Sequence, residues 1–174
     1  MIYVITGPSG SGKTTLGNYF KELGFQELVS HTTREKRAGE IDGVSYHFVT
    51  REEFSEIEKI EESTYSGNLY GTSKAEVMEK LETGDVFAVT DVHGAKAFKK
   101  IFGNKVKVIY IYSNPRYLRK RMKERGDSPT SVRDRIHTLK VKKEYKNRFY
   151  ADRIIVNNGS KKALYRSGKR IVRR

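Results

Sequence analysis

The chain has 174 residues, of which 36% are hydrophobic and 32% are charged, and it contains no cysteine. This length and composition favour one folded domain with a buried core over a disordered protein. The lack of cysteine excludes disulfides, thiol chemistry and cysteine-ligated zinc, and no apolar run is long enough to span a bilayer. Because the chain starts directly with a strand-like segment and not with a signal peptide, we expect a cytoplasmic protein.

The net charge of +14 is distributed unevenly along the chain. Residues 1–100 carry 12 Lys and Arg against 16 Asp and Glu, a balance of −4, whereas residues 101–174 carry 23 against 5, a balance of +18. Such an excess favours anionic partners, which include nucleotides, nucleic acid and acidic surfaces. A lysine-rich composition without functional meaning explains it equally well, so charge alone selects no function.

Apolar, β-branched runs alternate with helical patterns along the chain. Strands are predicted at residues 2–6, 25–30, 44–49, 85–92, 105–112 and 153–158. Helices are predicted at residues 13–23, 51–62, 95–102, 115–125, 131–150 and 161–174, the last interrupted by Gly168. The alternation predicts an α/β fold with a parallel sheet flanked by helices, and the polar, glycine-rich section 30–83 is interpreted as an inserted lobe.

One glycine-rich turn carries a specific motif. GPSGSGKT, residues 7–14, matches G-x-x-x-x-G-K-[ST] between a predicted strand and a predicted helix. Its glycines let successive N–H groups point at phosphate oxygens, and the helix N-terminus adds partial positive charge. We expect Lys13 to reach the β- and γ-phosphates and the Thr14 hydroxyl to ligate Mg²⁺. The motif predicts binding of a nucleoside triphosphate but does not identify the reaction.

A magnesium-nucleotide site also needs an acid at the end of a neighbouring strand. Asp91 follows the apolar run VFAVT and precedes a glycine turn, so it is the candidate. Its alternative role is to cap the next helix, which is expected near Ala95, and the two roles are compatible.

The segment TTREKRAGEIDGVSYHF, residues 32–48, places Arg34 and Arg37 three residues apart and ahead of Tyr46. Taken alone, it fits a solvated charge run in front of a strand as well as an anion site.

The chain resembles the guanylate kinases over almost its whole length. The resemblance rests on blocks in the family's order: GPSGSGKTTL, SHTTREKRAGEIDGVSYHF, YSGNLYGT, DVHG, LRKRMKERG, RDRI and IIVNN. It implies a single domain with a P-loop NTPase core (1–29 and 84–174), a small lobe for the nucleoside monophosphate (30–83) and a helical lid (about 117–138). It further implies Mg²⁺-dependent phosphorylation of GMP by ATP to give GDP.

Carried over by position, the resemblance assigns ATP binding to the P-loop, Arg125 and Asn157. The P-loop positions are Gly7, Pro8, Ser9, Gly10, Ser11, Gly12, Lys13, Thr14 and Thr15. The catalytic positions are Lys13, Asp91, Arg121 and Arg135, and the metal positions are Thr14 and Asp91. Positive charge suits this reaction because the GMP phosphate is already an ionised nucleophile that needs no base. Without the other blocks, a solvated basic helix packed through Leu118 and Met122 would explain the arginines.

The resemblance assigns GMP binding to eight positions: Ser30, Arg34, Arg37, Glu40, Tyr46, Glu61, Tyr70 and Thr72. Two arginines and two tyrosines would hold the phosphate, because guanidinium forks match its oxygens and phenols add donors. Ser30, Glu61 and Thr72 would face guanine, whose N1–H and amine form a donor pair that one carboxylate accepts. Glu40 would orient an arginine or contact the acceptor through water. Only the spacing to YSGN selects Glu61, since a solvated helix face also explains its surroundings.

Some positions depart from the family's pattern. They are Val89 in place of an acid, His93 in place of glutamine, Leu69 in place of an aromatic residue, Asn158 in place of an acid, and Glu35-Lys36 in place of a proline-containing spacer. No phosphate-binding group is lost, so the chain is interpreted as an active but divergent kinase in which Val89 weakens affinity or selectivity for GMP.

Three alternatives stay open beside GMP phosphorylation. The acceptor could be dGMP, which nothing in the residues excludes, or another small phosphorylated molecule, which the guanine set disfavours. A catalytically weak kinase-like binding domain is the non-enzyme alternative, and the complete P-loop argues against it. Nucleic-acid binding is not expected despite the basic C-terminal half, because no RNA-binding or helix-turn-helix signature is present and packing explains the tyrosines.

Overall fold

The structure, a computed structural model, describes residues 1–65 and 67–173 of the chain. Its larger sheet has five strands, and the four strand pairs are all parallel. In spatial order the strands are β2 (Gln26–Glu27), β7 (Val86–Val89), β1 (Ile2–Thr6), β8 (Val106–Tyr112) and β9 (Arg153–Val156). The central strands are apolar runs, as parallel strands covered on both faces require.

Helices cover both faces of this sheet. α1 (Lys13–Glu22) and α7 (Lys161–Val172) pack on one face, where Tyr3 and Ile5 of β1 join their cluster. α4 (Val92–Phe102) packs on the other face, against the remaining buried residues of β1. Burial of each large apolar side chain contributes about 1.5–3 kcal/mol, so the two layers hold the sheet rigidly under the loops at its ends.

A second sheet of four strands lies between β2 and β7 in the sequence. In spatial order its strands are β4 (His47–Phe48), β3 (His31–Thr32), β6 (Asn68–Ser73) and β5 (Lys59–Tyr65). β6 is antiparallel to both of its neighbours. Two helices belong to the same section, α2 (Arg51–Glu56) and α3 (Lys74–Thr83). A separate sheet here is consistent with an inserted lobe, whose bounds at 30–83 stay a prediction.

Two further helices follow β8. α5 (Pro115–Glu124) and α6 (Pro129–Val141) each begin with proline after a capping residue, Asn114 and Ser128 respectively. They pack on each other through a small cluster of their own, formed by Leu118, Met122, Val132, Ile136 and Leu139. This pair occupies the segment for which a lid is predicted.

The structure corrects the helix predicted over residues 51–62. α2 ends at Glu56, and Ile57 is extended with a ψ of 125°. The next residues form β5, which pairs with β6 in a hairpin and buries Ile60. The acidic composition hid this strand, since the pairing with β6 becomes visible only when the hairpin is formed. α3 was not predicted at all.

Other predicted elements differ in length. α4 begins at Val92 and not near Ala95, because Asp91 caps it there. The helix predicted over 131–150 ends at Val141; Lys143 has a left-handed φ of 50°, and a 3₁₀ helix spans Glu144–Tyr150. The strands predicted over 25–30 and 44–49 shorten to β2 and β4, of two residues each.

Gly168 does not interrupt the terminal helix, contrary to the prediction. A Cβ at Gly168 would lie 2.4 Å from Leu16 Cδ1, so glycine permits close packing of α7 on α1.

In the part of the chain that the structure describes, no helix combines the length and apolar character that a membrane span requires.

Candidate active site

The candidate site lies at the carboxyl ends of the parallel strands. The chain runs from β1 to β2 on one side of β1, and later crosses from β7 to β8 on the other side. Such a reversal of strand order opens a crevice in which α/β sheets bind ligands. Four segments reach this edge: the P-loop after β1, Asp91 after β7, Ser113 after β8 and Asn157 after β9.

The P-loop curls because of three glycines. Gly7, Gly10 and Gly12 have φ angles of 143°, 77° and 107°, a region that favours glycine. A Cβ on Gly7 would lie 2.6 Å from the carbonyl oxygen of Ile111, and one on Gly12 would lie 2.6 Å from Asn157 Nδ2. Gly7 and Gly12 therefore also permit close approach of β8 and of the residue that follows β9.

Lys13 points into the curled loop. Its Nζ donates hydrogen bonds to the carbonyl oxygens of Gly7 (2.8 Å) and Pro8 (3.2 Å). Burial and then the charges of Arg125 and Arg135 lower the pKa of Lys13 from 10.5 to about 8, although nearby Glu144 opposes this. A crowded cation with its pKa lowered in this way is stabilised by any anion that binds beside it. The site is therefore suited to phosphate.

The predicted arginines Arg125 and Arg135 lie close to this ammonium. Arg135 Nη1 donates to Ser9 Oγ at 2.7 Å. Arg125 forms a two-pronged ion pair with Asp127, with distances of 2.7 Å and 2.6 Å. Thr14 is exposed in the first turn of α1 and lines the same cavity as Arg125 and Thr15. The structure thus brings most of the predicted ATP-site residues together.

The side chain of Arg121 bonds to other groups of the protein, an arrangement that differs from the predicted contact with substrate. Its guanidinium donates to the oxygens of Gly10 (3.3 Å), Ser113 (3.2 Å) and the Asn157 backbone (2.9 Å). Asn157 Nδ2 in turn donates to the Ser11 carbonyl at 2.7 Å. These bonds tie α5 and β9 to the P-loop, so Arg121 and Asn157 position the loop here. Their roles in catalysis and adenine binding stay predictions.

Four of the predicted GMP-site residues, all within the section 30–83, form one cluster. Arg34 Nη2 donates to Glu40 Oε1 at 2.7 Å, and the guanidinium lies 5.5 Å from the Tyr46 ring centroid. The Tyr46 and Tyr70 rings are 5.8 Å apart. Glu40 Oε2 accepts from the Arg37 backbone N–H at 2.9 Å, and the Arg37 side chain is exposed. The bonds from Arg34 and Arg37 lower the pKa of Glu40, which stays ionised between them.

A second group in the lobe surrounds one carboxylate. Thr72 Oγ1 donates to Glu61 Oε1 at 3.0 Å and lies 3.4 Å from Ser30 Oγ. Burial raises the pKa of Glu61, and the charge of Asp91 adds to the effect. Glu61 lies on β5 opposite Thr72, so the solvated-helix alternative is wrong. Ser66 of the YSGN block lies outside the described residues.

Asp91 caps α4 while facing the crevice. Its Oδ1 accepts from the backbone N–H groups of His93 and Gly94, each at 2.9 Å, and Oδ2 takes part in neither bond. The alternative capping role is confirmed. Asp91 shares a cavity with Gly7 and Glu144, and it lies close enough to Glu61 to affect its pKa.

The site also fits a magnesium ion that arrives with its nucleotide. Among the described residues no three His, Asp or Glu side chains are grouped to hold a metal. Mg²⁺ does not need such a group, because it keeps several waters and binds through substrate phosphates and one or two protein oxygens. Thr14 and Asp91 offer oxygens of that kind, although they line different cavities.

Sequence reasoning missed two residues of the crevice. Ser113 bonds to both Arg121 and the Asn157 carbonyl. Its position directly after β8 was a usable signal, since ligand sites lie at the carboxyl ends of strands. Glu144 lies close enough to Lys13 for its charge to oppose the lowering of the Lys13 pKa. No local pattern marks it, because it lies in a basic stretch that was predicted to be helix.

Comparison with known proteins agrees with this geometry. The family model for guanylate kinase matches residues 1–172. The guanylate kinase of Fusobacterium nucleatum is 37% identical over 164 residues, which cover 90% of this chain and 88% of the relative. That of Acinetobacter baylyi is 36% identical over 173 residues, covering 95% and 83%.

Structural similarity points the same way. The crystal structure of guanylate kinase from Anaplasma phagocytophilum matches with a TM-score of 0.71 and 27% identity, covering 98% of this chain and 81% of that one. The match includes both the parallel sheet with its P-loop and most of the inserted section, since nearly the whole chain is aligned. The chain belongs to the guanylate kinase family.

Proposed function

We propose that the chain transfers the γ-phosphoryl group of ATP to GMP, giving ADP and GDP. One observation carries the proposal: the desolvated carboxylate of Glu61 lies with two hydroxyls in the same section of the chain as an arginine–tyrosine cluster. Asp91, which shares a cavity with Gly7 of the P-loop, lies close enough to raise the pKa of Glu61. A carboxylate accepts the adjacent N1–H and amine of guanine, whereas adenine would leave it unmatched. Family membership supports the same acceptor.

The residues divide the work of the reaction. Arg34, Arg37, Tyr46 and Tyr70 would hold the GMP phosphate, and an oxygen of that phosphate attacks the γ-phosphorus while the bond to the β–γ bridging oxygen breaks. ADP leaves with the electron pair of that bond. The main requirement of phosphoryl transfer is positive charge around the transferring group. Three neighbouring cations would supply it: Lys13, Arg125 and Arg135.

Magnesium and location complete the proposal. Thr14 and Asp91 would hold the Mg²⁺ that comes with the nucleotide, and the ion would supply positive charge that offsets the negative charge of the triphosphate. We also expect the protein in the cytoplasm, where ATP and GMP are present and a chain without cysteine needs no oxidising compartment.

A coupled assay of ADP release with a panel of monophosphates tests the proposal. GMP should be phosphorylated far faster than AMP, CMP or UMP, and Lys13→Ala should abolish turnover. The dGMP rate decides whether the 2′-hydroxyl matters. Equal rates with UMP would contradict the guanine site, and nucleotide binding without turnover would instead support the kinase-like binding domain.

A further inference from the structure

A separate cavity of about 140 Å³ lies behind the P-loop, at the base of helices α5 and α6. Of the residues placed in the crevice above, Pro8 and Ser113 line it. Pro115 contributes the first residue of α5, and Leu139 comes from the last turn of α6. The cavity therefore touches the P-loop and both helices of the predicted lid where they join the core.

Tyrosine and proline residues form much of the wall. Tyr112 at the end of β8 and Tyr145 in the 3₁₀ helix line the cavity together with Pro8 and Pro115. Tyr145 is 39% exposed, so the cavity is open to solvent on that side. Aromatic rings favour stacked or edge-on contacts with another ring. Because the volume is below that of drug-sized pockets, this wall selects a small planar ligand.

Two cations give the cavity its charge. Lys140 and Arg148 line it, and no Asp or Glu does. Neither cation lies within 4.0 Å of a carboxylate in the described part of the chain. The nearby Glu144 bonds to Tyr110 through its backbone carbonyl, and it lines the two neighbouring cavities. The charge of the lining is therefore complementary to an anion.

We propose that this cavity is a second ligand site, for a small planar aromatic molecule that carries one anionic group. The ring lies among Tyr112, Tyr145 and Pro115, and the anionic group meets Lys140 and Arg148. The site is distinct from the ATP cavity, whose lining includes Lys13 and Arg121. A ligand there contacts the P-loop and the base of the lid together, so it favours one arrangement of the two and couples to nucleotide binding.

Calorimetric titration of the full chain with naphthalene-2-sulfonate tests the site. We expect one site per chain, and each of Arg148→Met and Lys140→Met should weaken binding about tenfold, the effect of one charge-assisted hydrogen bond. Arg153→Met is the matched control, because Arg153 is an exposed cation on β9 that does not line the cavity. Lys140 is exposed, so Lys140→Met does not disturb the packing of the core. This variant therefore still tests the site if Arg148→Met fails to fold.

A crossed control separates this site from the P-loop. Lys13→Met should weaken ATP binding and leave the affinity for naphthalene-2-sulfonate unchanged. As the ATP concentration rises, the affinity for the sulfonate should change and then reach a constant value. Coupling between two sites saturates once ATP is bound, whereas competition for one site keeps weakening the binding as more ATP is added. The proposal is overturned by an absence of binding, by binding that Lys13→Met abolishes, by unlimited displacement with ATP, or by equal binding of uncharged 2-naphthol.

Discussion

Glu40 shows at the residue scale how one carboxylate organises an anion site. Its two oxygens bond to the Arg34 guanidinium and to the Arg37 backbone N–H, so both arginines are held from the same group. The side chain of Arg37 remains exposed. Arg34 thus has a carboxylate partner within the protein, whereas the Arg37 guanidinium is open to solvent, and its predicted contact with the GMP phosphate stays a proposal.

Arg37→Ala is expected to raise the apparent KM for GMP about 10- to 100-fold and to leave that for ATP nearly unchanged. The loss corresponds to charge-assisted hydrogen bonds worth about 1.5–3 kcal/mol. Steady-state kinetics with each substrate varied in turn measures it. Lys36→Ala, which removes the neighbouring exposed cation, is the control. An equal rise in both KM values would return the segment to an ordinary charge run.

Glu61→Gln should reduce discrimination between GMP and AMP. The amide presents one donor and one acceptor, which fit adenine better than the donor pair of guanine. Relative kcat/KM for the two acceptors measures the effect, with Glu62→Gln on the same strand as control. If discrimination survives in Glu61→Gln, another group reads the base.

The same substitution should stabilise the protein at neutral pH. Burial raises the pKa of Glu61 above its ordinary 4.5, so the fold penalises the ionised carboxylate. That penalty is absent below the pKa that Glu61 has in the unfolded chain. It develops as the pH rises through the raised pKa of Glu61 in the folded protein, and it is complete above that pKa. Glu61→Gln should therefore have the higher Tm at pH 7, with the difference shrinking on acidification. A lower Tm at pH 7 would contradict the assignment of a desolvated charge.

Because the pKa of Lys13 is lowered, we predict that the protein takes up protons when it binds ATP. The Lys13 pKa of about 8 in the free protein is raised again by the bound phosphates, so at about pH 8.5 binding restores a proton to the amine. Calorimetry in buffers of different ionisation enthalpy counts the protons. Lys13→Arg keeps its charge at this pH and should bind without that uptake. Equal uptake by both proteins would assign the proton to another group.

At the scale of elements, small residues set how closely the helices pack. Gly168 lies in the interior of α7, a position where glycine costs about 1 kcal/mol relative to alanine. Glycine is nevertheless suited to this position, because α7 lies directly against Leu16 and Phe20 of α1 and leaves no room for a larger side chain. Gly17 of α1 likewise permits close packing on β7, since a Cβ there would lie 2.9 Å from the Phe87 ring.

Gly168→Ala is expected to destabilise the protein by about 1–3 kcal/mol, because the overpacking outweighs the gain in helix propensity. Urea unfolding monitored by circular dichroism measures it, and Lys169→Ala at an exposed site of the same helix is the control. In a Leu16→Ala background the added methyl gains room, so the cost should fall or reverse. An unchanged cost in that background would place the strain elsewhere.

At the scale of the whole molecule, Glu76 joins the second sheet to the core. Its Oε1 accepts from the Val29 backbone N–H (2.8 Å) and Lys80 Nζ (2.6 Å), and Oε2 lies 3.3 Å from His47 Nε2. Val29 lies where the chain leaves the larger sheet, and His47 belongs to β4 of the smaller one. One buried carboxylate therefore bonds to Val29 on one side of the junction and lies beside His47 on the other.

Glu76→Gln should destabilise the protein by about 1–3 kcal/mol, since the uncharged amide leaves buried donors less well satisfied. Hydrogen exchange should rise at Val29 and along β3 and β4 more than in the central strands. Glu79→Gln, at an exposed position of α3, is the control for helix charge. Uniform loss of protection across both sheets would mean that the junction has no special role.

The predictability of the molecule differs from one region to another. The strands β1 and β8 and the helices α1 and α5 were predicted close to their bounds, because apolar runs, a P-loop and a proline start are local signals. The strand predicted over 85–92 ends at Val89, since Asp91 already caps α4. β5 was predicted as helix, since its partner strand lies across a hairpin. The end of α6 was missed because the left-handed Lys143 has no local signal, and Gly168 was misread because the neighbouring helix that explains it is distant in sequence.

The sequence by itself determined the chemistry of this protein. Its P-loop and its blocks in family order predict an ATP site and an acceptor site for GMP, because such motifs depend on residue types at short spacing. Only the tertiary structure decided how those residues act together. It set Glu61 on a strand beside Thr72 and Ser30 and held Arg121 against the P-loop. It also lowered the pKa of Lys13, first through burial and then through the charges of Arg125 and Arg135. Burial and long-range contacts create these properties, and neither is a property of a local segment.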